Sequence, residues 1–181
     1  MIDYTVEREA VSLNLKFRQL FTASLHEPKK LAAFRLLPIG KVIQYLFIFV
    51  FLYTVIAFLQ FLIGDHTLFQ STPEIAEIGK TIGLLLYPVA FILQLVIITS
   101  YLFIRISIFG IIGVLLLRLL SRRGEFRFMW RTAAIAATLP ILLTMVFEFM
   151  PGMQNYSLWI SSLVHLLYVW RAAVYYPKKP R

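Results

Sequence analysis

Cysteine does not occur in the 181 residues of this chain. Disulfides, thiolate nucleophiles and cysteine-based metal sites are therefore excluded, and the redox compartment stays unread. Histidine is scarce, with three residues and no His-Glu-x-x-His or comparable ligand spacing, so a metal centre has no support. There is no Gly-x-Ser-x-Gly elbow, no Walker-type phosphate loop, and no serine, histidine and acid in a hydrolase pattern. The expectation from these gaps is a non-enzymatic protein without cofactor or metal. A secretory signal is missing as well. Residues 1–41 hold seven Lys or Arg and four acids in place of a short basic region, an apolar core and a cleavage site. The first hydrophobic segment is thus expected to stay as an anchor. With no cysteine and no glycine at position 2, lipid anchoring has no motif either.

What the chain has is apolar content. It is 60% hydrophobic, with a mean hydropathy of +0.78, against about 45 to 50% in soluble domains. Four segments can each cross a bilayer: 42–63, 81–117, 132–150 and 156–176. The fold class is all-α integral membrane protein, with four transmembrane helices behind an N-terminal amphipathic interfacial segment. Residues 1–41 form that segment, 42–176 the membrane domain and 177–181 a basic tail.

The formal net charge of +9 invites a nucleic-acid reading, but its placement assigns it to a membrane surface. Seven Lys or Arg precede the first span. Five more, Arg118, Arg122, Arg123, Arg127 and Arg131, lie between the second and third. Four, Arg171, Lys178, Lys179 and Arg181, close the chain. Sixteen of eighteen cations thus fall on one side, which the positive-inside rule makes cytoplasmic. Both termini are expected inside a bacterial cytoplasmic membrane. A five-span alternative splits the second segment at Arg105, leaves a stub of twelve residues and puts Arg118 to Arg131 outside; the charge rule disfavours it.

Between Thr81 and Leu117 the only charge is Arg105. As one straight helix this run reaches roughly 55 Å, more than a bilayer core of about 30 Å. It must tilt, project beyond the bilayer, or break near Arg105. A cation at that depth normally faces protein or a water-filled cavity, and Gln94, Tyr101 and Arg105 share one helix face. With His165 in the fourth segment they form a candidate intramembrane polar path. The plainer reading has Arg105 snorkelling to phosphates from a tilted helix, and His165 bonding a neighbouring helix. Glu148, at the outer end of the third span, is a further polar group, with Ser161 and Ser162 about a turn from His165.

Before the first span, Leu13, Phe17, Leu20, Phe21 and Leu25 recur at helical spacing, and Pro28 can open a second short helix. Cations around this pair suit the inner headgroup region. Lys29, Lys30, Arg35 and Lys41 are the candidate contacts to anionic lipid; the plainer reading is a topology signal. The outer loop Asp65–Lys80 is polar and can form a helical turn after Pro73. Tyr156, Trp159, Tyr168, Trp170, Tyr175 and Tyr176 bracket the last span as an aromatic belt. Pro140 is expected to kink the third helix, with Ala133, Ala134, Ala136 and Ala137 allowing a close helix approach; Gly110 and Gly113 serve the second span similarly.

Two stretches carry a family resemblance. Ser24-Leu25-His26-Glu27-Pro28-Lys29-Lys30, then Phe34-Arg35 and Ile39-Gly40-Lys41, resembles the opening of a family of uncharacterised Gram-positive bacterial membrane proteins. Phe126-Arg127-Phe128-Met129-Trp130-Arg131, leading to Ala136-Ala137-Thr138-Leu139-Pro140, is similar to the same family in order and spacing. The resemblance implies a domain of unknown function in the Yip-type superfamily, some members of which are labelled maltodextrin-utilisation proteins; the outer loop is shorter here than in other members. The functional expectation is a membrane accessory or scaffold protein associated with a sugar-uptake transporter. The alternatives are a small transporter or channel with a polar path near Arg105, working as a homo-oligomer, and a lipid-handling or membrane-shaping protein.

Overall fold

Proline punctuates the helices. The computed structural model describes residues 17–26, 28–65, 73–150 and 152–179; Leu13, Glu27, residues 66–72 and Arg181, which entered the reading above, lie outside them. Helix α1 is Phe17–His26 and α2 is Pro28–Ala33, followed by a 3-10 turn, Phe34–Leu36. Helix α3, Ile39–Asp65, begins directly after Pro38, whose carbonyl accepts from Lys41 N at 3.0 Å. Helix α4, Pro73–Leu119, opens on a proline in its first turn, where a missing N–H is harmless.

Helix α4 has 47 residues and passes through Arg105 without a break. At 1.5 Å per residue it is roughly 70 Å long. The run of Thr81 to Leu117 is therefore one helix, extended at its start by the residues from Pro73, and the five-span split at Arg105 does not occur. Backbone groups freed in hydrocarbon have no water to bond, so continuing the helix through the arginine is the cheaper solution. The helix stops at Leu119, before Ser121 turns with a left-handed φ of 53°.

The third hydrophobic segment is two abutting helices, α5 (Phe126–Ala136) and α6 (Thr138–Glu148). They meet at Ala137. Pro140 has no N–H to return to the Ala136 carbonyl, and the helical pattern is interrupted a turn earlier, as a proline inside a helix requires. Helix α7 is Gln154–Val174. Four stretches are long and apolar enough to span: Ile39–Ile63, Tyr87–Leu119, Phe126–Glu148 and Asn155–Val174. Along α4, Ile92, Leu93, Val96, Ile97, Ile104 and Ile108 are all exposed. A continuous apolar stripe of this kind marks lipid, not water, as the surrounding solvent. The protein is an all-α membrane protein of four candidate spans with an amphipathic N-terminal helix.

The chain forms two compact units, 1–46 with 104–181, and 47–103. In the first, α1, α2 and the 3-10 turn pack against α5, α6 and α7. Leu20, Ala23, Leu31, Ala32, Phe34 and Leu37 are buried, and Tyr168 donates through its hydroxyl to the Leu25 carbonyl at 2.8 Å. The amphipathic face of α1 thus rests on protein. Ala133 to Ala137 are buried throughout, and a Cβ on Gly113 would run into Met129 and Val169. Small residues here bring α4, α5 and α7 close together, as helices in lipid require. In the second unit, α3 and α4 meet through rings: Phe47 lies 6.5 Å from Phe103, and Phe58 packs edge-on to Phe91 at 5.2 Å.

Candidate functional site

Helix α7 carries Ser157, Ser161 and His165 at four-residue intervals, on one face, and all three are buried. Helix α4 brings Arg105 and Phe109 to that face. Arg105 is 5% exposed, and its Nη2 donates to Ser161 Oγ at 3.0 Å. Its guanidinium carbon lies 6.0 Å from the centre of the Phe109 ring. That ring also stacks on His165, with centroids 4.0 Å apart and planes inclined by 30°. His165, wholly buried, bonds through Nε2 to the Ala133 carbonyl at 3.0 Å. A carbonyl can only accept, so Nε2 carries the proton. The same oxygen also accepts Ala137 N at 3.0 Å, using the second lone pair that a carbonyl offers. One cluster therefore joins α4, α7 and α5.

Two further bonds cross between helices nearby. Thr138 Oγ1 donates to the Ile135 carbonyl at 2.7 Å, which leaves Tyr45 to donate to Thr138 Oγ1 at 2.8 Å. Trp130 Nε1 donates to Ser107 Oγ at 3.2 Å. Among the described residues, Ser157 Oγ and His165 Nδ1 have no hydrogen-bond partner. Among the described residues, no group of three His, Asp or Glu is placed to hold a metal.

The chemistry of this arrangement is that of a tie. Ser161 Oγ receives from a cation and sits beside no base, and His165 has committed Nε2 to a backbone carbonyl. Neither is arranged as a nucleophile and its base, which need to meet each other.

Of the four path residues, Arg105 and His165 come together through Phe109 and Ser161. Gln94 and Tyr101 belong to the other unit, and both are half-buried. Arg105 is buried, and its guanidinium is directed at Ser161 on α7. Of the four candidate lipid contacts, Lys29 and Lys30 are exposed on α2, and Lys41 is half-buried at the start of α3. Arg35 is half-buried, its guanidinium 5.1 Å over the Tyr176 ring and its carbonyl accepting from Arg131 Nη1 at 3.2 Å. Sequence reasoning missed Phe109, Ser157 and the Ala133 carbonyl. The first two could have been found from their four-residue spacing to Arg105 and Ser161.

Fold and polar interior together define a multi-span helical membrane protein. The family model described as "Protein of unknown function (DUF1189)" matches residues 70–173, which include all of α4, α5 and α6 and most of α7, and the chain belongs to that family. No curated protein and no solved structure matches it.

Proposed function

We propose that this protein is a non-enzymatic accessory or scaffold subunit of a bacterial cytoplasmic membrane, oriented with both termini and the loop 120–125 in the cytoplasm. The observation that carries the reading is the bond from Arg105 to Ser161, with His165 held on Ala133 beside it. An intramembrane cation and histidine are expensive, and here Arg105 bonds to Ser161 on α7 and His165 to the Ala133 carbonyl on α5. A binding subunit needs such a fixed shape, whereas a carrier needs elements that can exchange partners. The orientation rests on the one-sided placement of sixteen cations. The resemblance to Gram-positive, Yip-type proteins labelled for maltodextrin utilisation makes a sugar-uptake transporter the first partner to look for.

A second reading, a small transporter or channel, is favoured by one observation. Ser157 Oγ and His165 Nδ1 are buried polar atoms with no hydrogen-bond partner among the described residues, on the stripe that Arg105 joins. Purification of the full chain in mild detergent, followed by mass spectrometry, separates the two. The accessory reading expects a stoichiometric membrane transporter in the complex. A homo-oligomer alone would contradict it and favour the pore.

A further inference from the structure

Where α4 ends at Leu119, α5 begins at Phe126 and α7 ends at Val174, a cavity of about 370 Å³ opens in the first unit. Its walls include Leu36, Phe128, Pro177 and the Tyr176 ring, and its cations are Arg35, Arg123 and Lys179. We propose that this cavity binds the phosphate headgroup of an anionic phospholipid. The site does not depend on the accessory role.

Bonds to backbone carbonyls bring the chain segments that carry these three cations together. Arg123 N donates to the Pro177 carbonyl at 2.8 Å and Lys179 N to the Ser121 carbonyl at 3.1 Å, strapping the tail across the loop. Arg122 Nη1 donates to the Tyr176 carbonyl at 2.8 Å, and Arg131 holds the Arg35 carbonyl from the other side. Like charges gathered at one place repel one another, and an anion among them lowers that energy. Glu125, the carboxylate on the wall, is turned onto Arg127 Nε at 2.8 Å. The eleven-residue helix α5 starts at the cavity with no side-chain cap, so its positive end adds to the same field. Depth selects lipid over a soluble phosphate. Three spans leave the apolar region at this level, which is where a phospholipid carries its phosphate, and the apolar walls suit the glycerol and first acyl carbons below it.

The test is native mass spectrometry of the full-length protein in non-ionic detergent, titrated with phosphatidylglycerol or phosphatidylcholine of identical chains. Phosphatidylglycerol is expected to be retained about tenfold better, and Arg123→Gln with Lys179→Gln to lower its retention about tenfold. Arg118→Gln removes an exposed cation that is not on the cavity wall and should leave retention unchanged. Arg123 and Lys179 are themselves exposed, so their substitution should not shift thermal unfolding. The charge-keeping pair Arg123→Lys and Lys179→Arg must bind as the wild type does. Equal retention of the two lipids, or full retention by the Gln pair, overturns the proposal. So does displacement of the lipid by inorganic phosphate or glycerol phosphate at equal concentration, which would assign the cavity to a soluble ligand.

Discussion

Arg105 Nη2 and Ser161 Oγ stand 3.0 Å apart, 56 residues distant in sequence, inside a membrane protein. Each explains the other. The guanidinium needs an acceptor at that depth, and the serine on α7 supplies one that is fully buried. Phe109 and His165 close the cluster from the side, so the charge is surrounded by protein.

Removing one partner should therefore hurt more than replacing the cation. Ser161→Ala leaves a buried donor without its acceptor and should lower stability by about 1 kcal/mol, read from thermal unfolding in detergent. Arg105→Leu takes away the group that demanded the bond and leaves Ser161 its own acceptor, the Leu158 carbonyl at 3.4 Å, so stability should change less than in Ser161→Ala. A large loss in Arg105→Leu, with Ser161→Ala silent, would show that the arginine is held by something else.

The N-terminal helices should behave as part of the bundle. Leu31 is fully buried, and Leu31→Ala should weaken docking of α1 and α2 by about 2–4 kcal/mol. Hydrogen exchange across residues 20–37 should speed up, with α7 little affected. Unchanged exchange there would mean that lipid, not protein, covers the face.

Topology follows from charge. Reporter fusions after Ile2, Gly124 and Arg181 are expected to be cytoplasmic, and those after Thr72 and Gln154 extracytoplasmic, because sixteen of eighteen cations lie on one side. An extracytoplasmic reporter at Gly124 would overturn the orientation.

Spans were legible because each needs only about 20 apolar residues in a row, a local property. The kink expected from Pro140 was local too, since proline removes its own donor. The environment of Arg105 was not legible. Its partners Ser161 and Phe109 depend on which helices pack together, and hydropathy does not encode pairing. The same limit applied to α1: spacing of Phe17, Leu20 and Leu25 shows that a face must be covered, while lipid and protein satisfy that pattern equally. The basic cavity was hidden for a third reason. Arg35, Arg123 and Lys179 each read as ordinary inner-side charges, and it takes the tail crossing the loop 121–123 and the bond from Arg131 to the Arg35 carbonyl to bring them to one place.

The central claim is that the polar cluster between α4 and α7 is a closed tie between helices. Thiol labelling in this naturally cysteine-free chain tests it most directly. Ser157→Cys is nearly isosteric and places a thiol on the buried stripe, and Ser121→Cys supplies an exposed control. A membrane-impermeant maleimide applied from either side of oriented vesicles should leave position 157 unlabelled while position 121 reacts fully from one side. Labelling at 157 at a rate close to that of the control would show that water reaches the cluster, and would contradict the account in favour of a path.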